Sequence, residues 1–206
     1  MLSNILYSIA RYEKFILPKY CENLGLNLDQ ERKNLSRFYD FINLYGNFSL
    51  FRENLFGHIT VSALVINPRL NATVLTLHKK LNKWLQLGGH CDGNPNLKEV
   101  IYKEVEEESG LKSFEPLYFN LKNLRNSFIP FDVDIHMIPA SEQSIQHLHF
   151  DIRYLFTTSS DELVISNESS ALDWISLKKI SLYSNEQSLL QMFYKFQYLK
   201  EKNLVQ

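Results

Sequence analysis

The chain is poor in several residues whose scarcity is informative. Only two cysteines, Cys21 and Cys91, occur in 206 residues. Two thiols cannot build a disulfide framework, which points to a reducing, cytoplasmic setting. Proline (6) and glycine (7) are scarce, so neither a collagen-like nor a low-complexity chain is at hand. No run of eighteen apolar residues exists, which argues against a membrane span. The N-terminus, Met1 to Leu6, lacks the basic start and small-residue cleavage site of a secretion signal. Charge of one sign is also missing. The net charge is −1, and acids and bases interleave throughout, which argues against nucleic acid as a partner. What remains is ordinary globular composition, 45% hydrophobic and 22% charged.

The pattern changes near residue 56. Before it, Leu35, Phe38, Ile42 and Tyr45 recur at helical spacing after a cap expected at Asp29, and Pro18 should close an earlier helix through Ile5 and Ile9. After it, strands are expected at 58–66, 73–77, 84–87, 117–121, 131–138, 147–157 and 172–176. Helices are expected at 97–109, between Asn94-Pro95-Asn96 and Gly110, and at about 186–202. Many strands, one central helix and helices at both ends predict a mixed α/β (α+β) layer fold. Residues 1–56 read as an N-terminal helical extension and 57–206 as the main domain.

The stretch Gly88-Gly89-His90-Cys91-Asp92-Gly93 holds three of the seven glycines, which lets a ligand approach the backbone. At about 100° per residue, the helix after it gathers Leu97, Val100, Ile101 and Val105 into one apolar arc. Glu104 and Glu108 fall inside that arc and Glu107 at its edge, while Glu99 and Glu106 point away. Carboxylates placed to be buried must be paired, protonated or given a metal. Oxygen ligands at this spacing suit Mg²⁺ or Mn²⁺. A solvated acidic helix end with lysine partners is the alternative.

Gly89, Glu104-Val105, Glu107-Glu108 and Gly110-Leu111 stand at the spacing of the Nudix box, and the chain resembles the Nudix hydrolase superfamily over roughly residues 56–180. Two box positions differ: Pro95 stands for a glutamate and Lys103 for an arginine. Phe56 to Ala63, Phe131 to His136 and His147 to Arg153 resemble a bacterial subgroup of unassigned substrate, and Asp173 to Leu177 its closing strand. The resemblance implies an α/β/α sandwich with a mixed sheet. It implies metal-dependent hydrolysis of a diphosphate in a nucleoside diphosphate linked to another moiety, by water attack at phosphorus. It further implies catalysis by Glu104, Glu107 and Glu108, with the Gly88 carbonyl joining them on Mg²⁺ or Mn²⁺. The partner would be a small-molecule diphosphate, and a homodimer stays open. A weak or inactive nucleotide-binding module is the alternative, motivated by Pro95 and Lys103.

Other residues carry two readings each. Asp132, Asp134 and His136 alternate with apolar neighbours, as do His147, His149, Asp151 and Arg153. If their strands pair, three histidines and three aspartates share a face. This face either contacts substrate or holds a transition metal, His149, Asp151 and Arg153 being favoured with Gly89 and His90. Otherwise it is a wet sheet face with Arg153 paired to an aspartate. Glu142, Asp151 or Glu168 could add a second-site carboxylate. Lys79, Lys80 and Lys83 either line a phosphate cleft or form a solvated cluster. Trp84 and Phe131 either stack on a base or pack in the core.

Overall fold

A computed structural model describes residues 2–141 and 144–205, so Glu142 lies outside the described residues. Three helices open the chain: α1 (Leu2–Phe15), α2 (Leu17–Leu24) and α3 (Leu28–Tyr45). Pro18 starts α2 instead of ending a helix, because a first-turn residue needs no N–H partner. The cap of α3 is Asn27, whose side chain accepts from Gln30 N–H at 3.0 Å. Asp29 sits in the first turn, where a carboxylate suits the helix dipole.

Eight strands form one mixed sheet. Its centre is β1 (Gly57–Ile66), buried at all ten positions. It runs parallel to β7 (His147–Thr157), with His58 beside His149 and Thr60 beside Asp151. On its other edge β1 pairs antiparallel with β4 (Leu87–His90), Val61 opposite Gly89 and Thr60 opposite His90. Farther along it meets β2 (Ala72–His78), which also pairs with β3 (Lys83–Leu85) and β8 (Ser169–Ser176). The outer edge of β7 carries β6 (Asp132–Ile138) and the two-residue β5 (Glu115–Pro116).

Two strand expectations need correction. The strand at 84–87 divides, because β3 follows β2 while β4 follows β1. The strand at 117–121 is absent: after Pro116 the chain leaves the ladder, and Phe119 keeps one bridge, to Val205.

Helices cover both faces. On one, Phe41 of α3 stacks on Phe150 with centroids 3.8 Å apart, and Tyr102 of α4 (Leu97–Ser109) meets Phe156 edge-on. On the other lies α6 (Gln187–Glu201), preceded by the short α5 (Ile180–Tyr183). This is the α/β/α sandwich. A single apolar cluster runs from Ile5 and Phe38 through β1 and β7 to Phe196, so the N-terminal helices share the core of the sheet. Among the described residues no helix is long and apolar enough to cross a membrane.

Candidate active site

Helix α4 begins and ends where its caps put it. Asn96 accepts from Glu99 N–H at 3.4 Å, and Gly110 closes the helix at φ 71°, a conformation glycine adopts freely. Leu97, Val100, Ile101 and Val105 are buried. Glu104 and Glu108 are drawn partly under the surface beside them, whereas Glu99, Glu106 and Glu107 are exposed. Glu107 leans on Lys103 at 3.7 Å, an i,i+4 pair on the outside of the helix.

Glu104 and Glu108 both meet the glycine loop. The Gly88 N–H donates to Glu108 Oε2 at 2.7 Å, so the loop offers this carboxylate its amide; the carbonyl was the group expected to face the site. Gly88 sits at φ 151°, and a Cβ there would fall 2.2 Å from the Val61 carbonyl oxygen. A Cβ on Gly89 would fall 2.5 Å from the Glu104 carboxylate. Neither glutamate has a lysine or arginine ion pair among the described residues. Burial pushes the Glu108 carboxyl up to about 8, with the charges of Glu104 and Glu168 adding to it against the Gly88 amide. Burial, with Glu107 and Glu168 nearby, also raises Glu104 against the pull of Lys103. Glu168, exposed on the loop before β8, is thus near enough to act on both carboxylates.

Contacts from outside the loop and within it brace the glycine loop. Arg52 grips Asp92 with two hydrogen bonds of 2.7 and 2.5 Å, the Gly93 N–H donates to the Leu50 carbonyl, and Asn94 accepts from Asn96 N–H. Asp92 is therefore a loop brace. Arg52 gave no signal in the sequence, because its partner lies forty residues away.

Strand β4 alternates. Gly89 faces α4, and His90 faces the other side of the sheet, its ring 4.9 Å from that of His58 and 5.3 Å from that of His149. The β6–β7 pairing sets His136 opposite His149, Asp134 opposite Asp151 and Asp132 opposite Arg153, so the expected His and Asp face does form. It splits into two halves of different character.

The aspartate half is spent internally. Arg153 is fully buried and reaches Asp151, Asp132 and Asp134 at 2.8, 2.8 and 2.7 Å. Lys195 of α6 pairs with Asp132 at 2.5 Å, Ser188 donates to Asp134, and Thr60 and Ser62 donate to Asp151. Burial alone would favour neutral forms. The carboxylates nevertheless hold the guanidinium well above its ordinary range, and Arg153 holds Asp134 well below that of a carboxylate. Asp151 and Arg153, expected at the substrate, are placed by the structure in the interior, where their charges face one another and their neighbours. Asp151, also a candidate second-site carboxylate, is taken up by Arg153, Thr60 and Ser62.

The histidine half opens onto a cavity of about 1110 Å³, with Arg52, Lys80, Leu55, Leu81 and Ile138 among its walls. His58 is pushed down to about 4 and His149 down to about 2, by burial first and by neighbouring imidazoles second; burial also lowers His90. His58 was not singled out in the sequence, although it alternates with Thr60 and Ser62 on one strand face. The remaining candidates pack or pair. Lys79 donates to the Asn167 carbonyl, Lys83 pairs with Glu186, Phe131 is buried in the core, and Trp84 meets Tyr183 edge-on.

No protein-family model matches the sequence, and neither does any curated protein. Solved structures do match. A hydrolase of the NUDIX family from Clostridium perfringens is 30% identical, with 69% of this chain and 97% of that one covered and a TM-score of 0.54. A C. elegans Ap4A hydrolase (11% identity, 70% and 98% covered, TM-score 0.54) has the same fold. So does the E. coli dihydroneopterin triphosphate pyrophosphohydrolase (9%, 67% and 93%, 0.51). The chain belongs to the Nudix hydrolase family, whose members act on acid anhydrides.

Proposed function

We propose that this chain is a divalent-metal-dependent hydrolase that cleaves the diphosphate of a nucleoside diphosphate linked to another moiety, by water attack at phosphorus. The observation that carries the reading is the pair Glu104 and Glu108: two carboxylates drawn into the protein beside a glycine loop, neither with a lysine or arginine ion pair among the described residues. The donor set fits the group the family implies, because converging carboxylate oxygens suit Mg²⁺ or Mn²⁺. Glu104 and Glu108 would hold it, with Glu107 and the Gly88 carbonyl at the rim and Glu168 within reach. When bound, such an ion neutralises phosphate oxygens and acidifies a bound water.

The chain's own groups do the rest. The Gly88 amide fixes Glu108, and the missing side chain at Gly89 leaves room for the Glu104 carboxylate. A glutamate of this group takes the proton of the attacking water. Arg52 and Lys80 stand at the wall of the cavity beside the loop, and Leu55, Leu81 and Ile138 offer apolar walls for a base. Asp151 and Arg153 have no part in substrate contact.

Turnover of a panel of nucleoside diphosphate derivatives with Mg²⁺ or Mn²⁺ tests the reading. Glu108→Gln should lower kcat by about 10²–10³-fold, the loss typical of removing one preorganised charge-stabilising group. Equal turnover by the mutant and the wild type would remove Glu108 from the chemistry.

A further inference from the structure

Five of the six histidines line the cavity on the far side of β4 from the glutamates. Three of them come from three neighbouring strands: His58 from β1, His90 from β4 and His149 from β7. One ligand nitrogen from each lies within 4.8 Å of the other two. His58 is 3% exposed, and among the described residues neither of its ring nitrogens has a hydrogen-bond partner; nor has Nε2 of His149. The Asn54 backbone lies close enough to His58 to favour a proton there, without a formed hydrogen bond. Buried polar nitrogens left bare cost free energy unless something fills their coordination. The neighbouring imidazoles are committed elsewhere: His136 through Nδ1 to Asp134, and His147 through Nδ1 to the Ile145 carbonyl.

We propose that His58, His90 and His149 form a binding site for a borderline transition-metal ion of the Zn²⁺ class, separate from the carboxylate site. Neutral imidazole nitrogen is a ligand for such ions and a poor one for Mg²⁺. The spacing permits it. With all three separations at 4.8 Å, an ion at their centre would lie about 2.8 Å from each nitrogen. An advance of under ~1 Å by each ring then reaches the ~2.0–2.1 Å of a Zn–N bond. Three protein ligands leave a fourth position, and it faces the cavity, where water or an anionic oxygen of a cavity ligand completes a tetrahedron. The Asn54 backbone beside His58 would steady the ring from the nitrogen that the ion leaves free, the usual support for a metal-bound imidazole.

The test uses the full chain, dialysed against a chelator and then held in excess Mg²⁺ to occupy the carboxylates. Co²⁺ is titrated in and followed by the intense visible bands of its four-coordinate form, with Zn²⁺ as competitor. Wild type should bind one equivalent, and Zn²⁺ should displace it. His149→Ala and His90→Asn should each weaken binding by at least ~100-fold, and melting curves identify any variant that is unfolded. Glu108→Gln should leave Co²⁺ binding unchanged, so failure here and failure of the hydrolase reading are told apart. The proposal is overturned if the wild type binds no Co²⁺ under excess Mg²⁺. It is equally overturned if both folded histidine variants keep wild-type affinity, or if Glu108→Gln alone abolishes binding.

Discussion

Two groups of carboxylates are drawn into this protein, and their charges are treated in opposite ways. Asp132, Asp134 and Asp151 fold together with Arg153 and Lys195, and the attraction of Arg153 outweighs burial, so Asp134 stays ionised. Glu104 and Glu108 have no lysine or arginine ion pair among the described residues, and burial pushes both carboxyls up. A carboxylate cluster that brings its own counter-charge is architecture. One left without it has unspent affinity for a positive ion, and that affinity is available for function.

The comparison breaks most forcefully at Arg153. Arg153→Met removes the counter-charge from three aspartates, two of them fully buried. It should cost about 3–5 kcal/mol, the loss typical of breaking a buried pair, and calorimetry should show the melting temperature falling by roughly 6–20 °C. A melt within about 2 °C of wild type would mean the network holds nothing together.

Gly89→Ala sharpens the other side. The new Cβ would meet the Glu104 carboxylate at 2.5 Å, so the carboxylate must shift. Turnover should fall by about tenfold to 10²-fold, as expected when a site group is misplaced by roughly 1 Å, with little change in the melt. Unchanged kinetics would show that the position of Glu104 is immaterial.

The two faces of β4 should also differ in their response to pH in metal-free protein. Glu108, at about 8 when folded and near 4.3 when unfolded, is protonated in the fold where the unfolded chain has already ionised. Its contribution to stability is full at low pH and falls as pH rises to about 8. His58 and His149, at about 4 and about 2, act in the reverse sense: their contribution is full above about pH 6.5 and is lost as pH falls through those values. Metal-free protein should therefore melt highest near pH 6.5. Glu108→Gln should flatten the alkaline limb and steepen the rise between about pH 4.3 and 6.5, and an unaltered alkaline limb would contradict the assignment.

The smallest effect is expected at the exposed brace. Arg52→Ala should change stability by about 0–1 kcal/mol, since Arg52 and Asp92 are both half open to solvent. It should raise KM through the loop and the cavity charge. An unchanged KM would leave the pair as surface decoration.

Much of this was legible in the sequence, because the signals were local. Asn96, Gly110 and the apolar arc fixed α4 and turned Glu104 and Glu108 inward, and alternation along β6 and β7 put the histidines and aspartates on one face. What the sequence hid was long-range. Lys195 and Ser188 reach Asp132 and Asp134 from the last helix, so a face that read equally as a substrate surface is a closed ion network. His58 joins His149 only through a parallel pairing of strands some ninety residues apart, and no local periodicity encodes that partnership. After Pro116 the chain leaves the ladder, so the expected strand at 117–121 comes down to the bridge between Phe119 and Val205.

The most direct test of the central claim is Mn²⁺ binding, followed by loss of the free-ion electron paramagnetic resonance signal, in wild type, Glu104→Gln, Glu108→Gln and Glu107→Gln. If Glu104 and Glu108 grip the ion from inside while Glu107 stands at the exposed rim, the first two variants should lose binding and Glu107→Gln should weaken it least. Wild-type Mn²⁺ affinity in both Glu104→Gln and Glu108→Gln would contradict the account.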